Sequence, residues 1–355
     1  MSLHPSSSHT AFIAGVVALL ALAVPPSLTA QASGTFSVSG NRVSIYNLAG
    51  MVQIRAGSGS DVVVEIDAQG ADADRLTVET GTIRSSETLR VIYPDDEIVY
   101  PELGHRSRTT VRVRSDGTFG NGRGGDRISI RGSGRGLEAY ADMTISIPQG
   151  KSVAVFLGVG EVDVANVNGE LRLDMQSASV TSTGTRGALS IDTGSGSVDV
   201  TDAQGDINID TGSGSVRVSG ISGGSLIVHT GSGSVTGENL TTEDLNIDTG
   251  SGRITLNTVT ASYVRLDTGS GSVRVDLTSD VDLLNIDTGS GNVTVSIPDD
   301  FGARLEIESG SGGIDFDMPV TVRHFSRSEL TGTIGDGEGT VRVDTGSGRV
   351  RFLRR

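Results

Sequence analysis

Six times between residues 192 and 348 the chain carries the pentapeptide Asp-Thr-Gly-Ser-Gly, beginning at Asp192, Asp210, Asp248, Asp267, Asp287 and Asp344. A carboxylate beside a hydroxyl and a glycine bend suits more than one chemistry. Two copies brought face to face could share one proton and activate water, as aspartic proteases do. Converging copies could offer Ca²⁺ its about six to eight oxygen ligands. Acids and bases gathered on one outer face could cleave an acidic polysaccharide. Many evenly spaced copies suit a structural corner better than one catalytic pair, and one Asp per corner is a sparse ligand set for Ca²⁺. The corner reading expects each Asp to accept hydrogen bonds from the following Gly and Ser N–H groups in an Asx-type turn. It assigns no catalytic, cofactor-binding or metal-binding residue.

Degenerate copies headed by His229 and Glu308 complete a ladder whose gaps are 18, 19, 19, 19, 20, 21 and 36 residues, the last being about two periods. Weaker copies start at Asp174 and Phe156. The positions three and one before each head are aliphatic from Leu171/Leu173 to Val341/Val343, and alternation resumes after the bend from Val198/Val200 to Val350/Phe352. Period-two alternation marks strands with one buried face. The glycines Gly194, Gly196, Gly212, Gly214, Gly250, Gly252, Gly269, Gly271, Gly289, Gly291, Gly346 and Gly348 suit the bends because Gly accepts positive φ.

A unit this short cannot close its own core, so neighbours must stack. It is also shorter than a propeller blade of about 40 residues. The expected fold is all-β: a single-stranded parallel β-solenoid, or β-helix, with coils of about 18 to 20 residues. Thr193, Thr211, Thr249 and Thr268 fall in the inward or corner phase and are expected to satisfy backbone groups. The outward column reads Asp199, Arg217, Thr236, Thr255, Arg274, Thr294, Asp315, Arg351, in which signs alternate with neutral residues as on a solvated face.

Composition narrows the class further. The 355 residues include 50 Gly, about twice the ordinary share, with no Cys or Trp and a net charge of −15. One Lys, Lys151, stands beside 27 Arg, an acidic balance that argues against a general nucleic-acid binder. Without Cys there are no disulfides, so packing and hydrogen bonds must hold the fold. Ala11 to Val24 is an apolar run of 14 residues, short for a membrane span of about 20, and Ala30-Gln31-Ala32 offers a small-residue cleavage site. The expected organisation is a signal peptide at 1–32, irregular N-terminal β coils at 33–100, a Gly/Arg-rich insertion or hairpin at 101–142, and the repetitive solenoid at 143–355. From Arg106 to Arg135 lie eight Arg against Asp116 and Asp126, read as a solvated hairpin or as a basic patch for an anionic polymer. Residues 317–339 read as a widened penultimate coil.

The repeated Asp-Thr-Gly-Ser-Gly-Ser-Val, the lead-in Ile145 to Gly150 and the ending Leu330 to Gly337 before a final repeat resemble the bacterial family of domain of unknown function 4097, labelled "putative adhesin". The resemblance implies an exported β-strand repeat protein with no catalytic residues to carry over. The expected function is a non-enzymatic adhesin-like or cell-envelope binding scaffold in the periplasm, at the cell surface or outside the cell. Its expected partner is an envelope or extracellular polysaccharide or a surface protein, with no nucleic acid, no cofactor, and no integral membrane segment after signal cleavage. A carbohydrate-active β-helix enzyme, lyase or hydrolase, is the alternative, and a Ca²⁺-stabilised module stands third.

Overall fold

Val, Ile and Leu alternating with Thr, Asp, Ser and Arg give each segment one dry face and one wet face, which selects extended backbone. The computed structural model describes residues 28–120 and 124–355, and over these the chain is all-β. Their helical content is confined to the 3-10 turns Ala73–Arg75 and Pro101–Leu103. The expected signal peptide lies outside the described residues except for 28–32. There Leu28–Gln31 runs antiparallel to Thr77–Ile83, so a cut after Ala32 would detach one edge strand.

Each central period contributes a strand to each of two parallel rows. In the first row Glu170–Thr183, Leu189–Thr193, Ile207–Thr211, Val216–Thr230, Val235–Thr249, Ile254–Thr268 and Leu283–Thr288 follow one another. The register sets Leu171 on Leu189 and Val264 on Leu284, so partners lie 18 to 20 residues apart. The second row includes Val198–Thr201, Val273–Leu277 and Val293–Ile297. Between the second row of one period and the first row of the next, the bridges Asn168 to Arg186, Arg186 to Gln204 and Gln204 to Ser222 build a short third row. Ala203, Ile221, Leu240, Val259 and Leu277 on this side are buried.

The three rows enclose a narrow aliphatic interior. Ile191, Ile209, Val228, Ile247, Leu266 and Ile286 share it with Val200, Val218, Leu256, Val275 and Val295, none more than 1% exposed. Burying each such side chain contributes about 1.5–3 kcal/mol. Gly237 interrupts the second column because Leu240 already occupies that space: a Cβ there would sit 2.8 Å from Leu240 Cδ1 and from Leu256 Cδ2.

At its C-terminal end the stack departs from sequence order. Gly339–Thr345 lies between Leu283–Thr288 and Ala303–Ser309, with Val343 paired to Ile286 on one edge and Ile307 on the other. Val350–Arg354 is likewise inserted between Val293–Ile297 and Ile314–Phe316. The last repeat in sequence is therefore next to last in space. Residues 317–339 are not a widened coil: they contain the antiparallel pair Thr321–Phe325 and Glu329–Ile334, and the latter covers the free edge of Ala303–Ser309. An uncovered terminal edge would expose a row of unpaired N–H and C=O groups, and a strand reached through a short turn must run antiparallel.

The N-terminal end is built on the same principle, so the expected all-parallel arrangement gives way there too. Arg42–Gly57 lies against Ser152–Ala165 on one edge, across a large gap in sequence. Its other edge is shared by Ser86–Ile92 and Tyr140–Pro148, both parallel to it. These are closed by the antiparallel strands Thr77–Ile83 and Val62–Gln69. Over this end lies a separate sheet of Glu97–Val99, Asp126–Arg131 and Arg108–Val113, the last two an antiparallel pair. Aromatic packing concentrates here: Tyr46 stacks on Phe156 with centroids 4.4 Å apart, and Phe119 meets Tyr46 edge-on at 5.6 Å.

Replacing the fully buried Ile247 by Asp puts an unpaired charge in this interior and should cost about 3 kcal/mol or more. Thermal unfolding followed by circular dichroism would check it, and an unchanged midpoint would contradict the inward phase. Val343→Asp should strip hydrogen-exchange protection from Ala303–Ser309 and the hairpin while sparing Leu189–Thr193, because contacts in a stack are between neighbours.

Candidate functional site: the corners and outer faces of the stack

At each corner the buried group is the threonine rather than the aspartate. Thr193, Thr211, Thr230, Thr249, Thr268, Thr288 and Thr345 are all buried. Thr249 Oγ1 donates to Gly233 O of the layer below at 3.0 Å and accepts from Gly252 N at 3.0 Å. Thr268 and Thr288 repeat the pattern. From Thr211 onward each hydroxyl thus closes its own bend and ties it to the preceding layer, while Thr193 reaches Ala178 O and Ser195 O. Among the described residues, none of the six corner aspartates has its carboxylate on a Gly or Ser N–H, so the expected Asx cap is not formed. The N–H of the first glycine in the bend goes instead to the threonine carbonyl of the layer below, as from Gly250 N to Thr230 O at 3.1 Å.

The corner glycines are needed for close approach, not for positive φ, since of the twelve only Gly196 has a φ in the left-handed range. A Cβ on Gly252 would lie 1.9 Å from Gly233 O, and one on Gly271 would lie 1.8 Å from Gly252 O. The same column continues through Gly348, whose Cβ would meet Gly291 O, into Gly312 over Gly348. Its order confirms that the C-terminal repeat is interposed.

With the hydroxyls turned inward, the carboxylates line the outside. Asp174, Asp192, Asp210, His229, Asp248, Asp267 and Asp287 stand in register, followed by Asp344 and then Glu308. Partial burial pushes Asp192 above the ordinary carboxylate range, and the charges of Asp174 and Asp210 push it further. Asp267 is raised by burial and then by Asp287 and Asp248. At the head of the row Asp174 has an ion pair with Arg172 at 3.0 Å. Among the described residues no group of three or more His, Cys, Asp or Glu could hold a metal ion. His324 lies 3.8 Å from Glu329 in the capping hairpin, away from His229 in the acidic row.

The outward face of the second row has a different character. It begins with Asp199 and Arg217, paired at 2.9 Å, and continues through Thr236, Thr255, Arg274 and Thr294. Insertion of the last repeat then sets Arg351 beside Thr294, with Asp315 beyond it. The resulting groove, of about 830 Å³, is lined by Arg253, Arg274, Arg349 and Arg351 around a floor of Ser, Thr and Asn. Arg253 and Arg349 occupy the corner position that is Ser in copies such as Ser197, Ser215, Ser234 and Ser272. That substitution was visible as a departure from the repeat; its clustering was not, because it depends on the spatial order of the layers.

Of the eight arginines between Arg106 and Arg135, Arg123 lies outside the described residues. Arg131 pairs with Glu97, Arg108 Nε donates to Ser129 Oγ at 3.0 Å, and Arg114 Nη1 donates to Thr118 Oγ1 at 3.2 Å. Much of this positive charge therefore serves the small sheet itself. Among the described residues no helix is long and apolar enough to cross a membrane.

The model of the family described as Toastrack DUF4097 matches residues 108–352. A crystal structure of a "putative cell adhesion protein" from Clostridium sporogenes is similar at 10% identity and a TM-score of 0.21, covering 93% of this chain and 100% of that one. No curated protein matches the chain.

Thr249→Val leaves a buried N–H and C=O without their shared hydroxyl and should destabilise by about 1–3 kcal/mol in denaturant unfolding. Asp267→Asn tests the acidic row. Because its pKa is raised in the fold, the folded state holds this proton to higher pH than the unfolded chain, so ionisation subtracts stability as pH rises. The variant should melt at higher temperature than the parent at pH 7, and the difference should shrink as pH falls towards about 4.

Proposed function

The chain belongs to the Toastrack DUF4097 family, and from that premise we propose that it is an exported, non-enzymatic binding scaffold, adhesin-like in role, built as a β-solenoid of 18- to 20-residue coils. It meets an envelope or extracellular polymer, or a surface protein, along its outer faces. The observation that carries this reading is the division of labour within each period. Inward positions and the Thr and Gly of the corner are fixed by packing, whereas outward positions are free to vary without disturbing a layer. At about 4.8 Å per layer the stack reaches roughly 50 Å, presenting rows of side chains at regular spacing to an extended partner.

A binding role is supported over turnover by the regularity of the outer rows: the acidic heads recur from layer to layer, interrupted at His229, instead of gathering as one facing pair. Export is supported by the apolar run Ala11 to Val24 with the small residues that follow it.

Co-sedimentation of the purified protein with isolated bacterial envelopes is the direct test. Saturable binding at micromolar protein, unchanged by chelator, is expected. Absence of binding at that concentration would remove the scaffold reading, and turnover of an acidic polysaccharide by the protein alone would replace it with an enzymatic one.

A further inference from the structure

The geometry points to the groove over the C-terminal layers as a binding site for an extended anionic polysaccharide, read through Arg253, Arg274, Arg349 and Arg351. This deepens, and rests on, the reading of the protein as an envelope-binding scaffold. The first ground is charge. Four guanidinium groups, permanently protonated, gather in one groove of a protein whose net charge is −15. Their neutralisation within the protein is incomplete. Arg349 and Arg351 share one carboxylate, Asp315, at 3.7 and 3.5 Å, and each remains about half exposed. Among the described residues the Arg253 side chain has only the Ser272 hydroxyl, at 3.1 Å, and the Arg274 side chain is exposed with no ion pair or hydrogen bond. By contrast the neighbouring Arg354 and Arg355 each have a carboxylate of their own, Asp299 and Asp276. Like charges held together without counter-charge favour an anion that supplies it.

The second ground is the floor. Between the arginines lie Thr255, Ser272, Asn292 and Thr294, neutral donors and acceptors of the kind that pair with sugar hydroxyls. Asn292, which lines the groove, accepts Arg349 N through its Oδ1 at 2.9 Å. The third ground is length. The arginines span four adjacent layers, Arg253, Arg274, Asn292/Thr294 and Arg349/Arg351, roughly 14 Å at about 4.8 Å per layer. Beyond them Asp315 closes one end and Thr236 begins the other. A sparsely charged polymer suits such a span. Duplex DNA, with one charge per about 1.7 Å, would carry its excess charge onto an acidic molecule that offers the groove no aromatic stacking surface.

The repeats supply the variants that test this. Other copies carry Ser where Arg253 and Arg349 stand and Thr where Arg274 stands, so Arg253→Ser, Arg274→Thr and Arg349→Ser restore residues the stack already accommodates. Binding of labelled polygalacturonate to the full chain should occur in the micromolar range and weaken with salt, and neutral dextran should not bind. Each substitution should weaken polygalacturonate binding about tenfold, as loss of a charge-assisted hydrogen bond does, with the melting temperature unchanged. The pair Arg112→Ser and Arg127→Ser, in the small N-terminal sheet, should have no effect. Binding unaltered in the triple variant, or lost in the N-terminal pair, overturns the site. Tighter binding of duplex DNA through the same arginines overturns the ligand class. Envelope sedimentation that persists in the triple variant also overturns the groove as the contact while leaving the scaffold reading in place. Groove-dependent polygalacturonate binding without any envelope sedimentation supports the groove and removes the scaffold reading instead.

Discussion

The structure depends on one close approach: from the Asp210 corner onward the backbone of one layer rests on a glycine carbonyl of the layer beneath, with no room for a Cβ between them. That contact sets the registration of the whole stack. Because the corners superpose, the flanking strands pair in register, and because they pair in register, identical residues recur at each level. A carbonyl and an N–H at each bend would otherwise be buried without partners, and the threonine hydroxyl joins the two. Structural specificity is thereby concentrated in Thr and Gly, and the aspartate that heads the motif is released to the surface.

Aliphatic columns, the strand pairs, the inward threonines and the stacking of periods were legible in the sequence, because a buried face must alternate and a short period cannot bury itself alone. Three features were not. The aspartate was expected to cap the bend, but the first glycine N–H there is already bonded to the threonine carbonyl of the layer below, a contact between layers rather than within one. The glycines were attributed to backbone dihedrals, whereas contact with the next layer, a long-range property, requires them. The outward column was read in chain order, which separates Arg351 from Thr294 by Asp315, while the strands place Arg351 directly beside Thr294.

The two surfaces that result are electrically opposed. One row repeats carboxylates at nearly every level, with Asp192 and Asp267 made harder to ionise by burial and by their like-charged neighbours; another gathers arginines near one end. The molecule therefore has a directional charge pattern along and around its axis, which orients an approaching charged partner before contact is made. Antiparallel strands cover the N-terminal end and the first row at the C-terminal end, so growth by strand addition is resisted along those edges.

The interposed C-terminal repeat gives assembly a fixed order of completion. A chain emerging from its N-terminus can build layer upon layer as far as Leu283–Thr288, but Ala303–Ser309, although paired on one edge with Glu329–Ile334, has no parallel neighbour until Gly339–Thr345 arrives. The final segment is the keystone of its own end: it seals two parallel edges at once, and its contacts are distant in sequence and therefore slow to form. Loss of that segment would consequently be felt as two unsealed parallel edges, on Leu283–Thr288 and on Ala303–Ser309, rather than as a shorter rod.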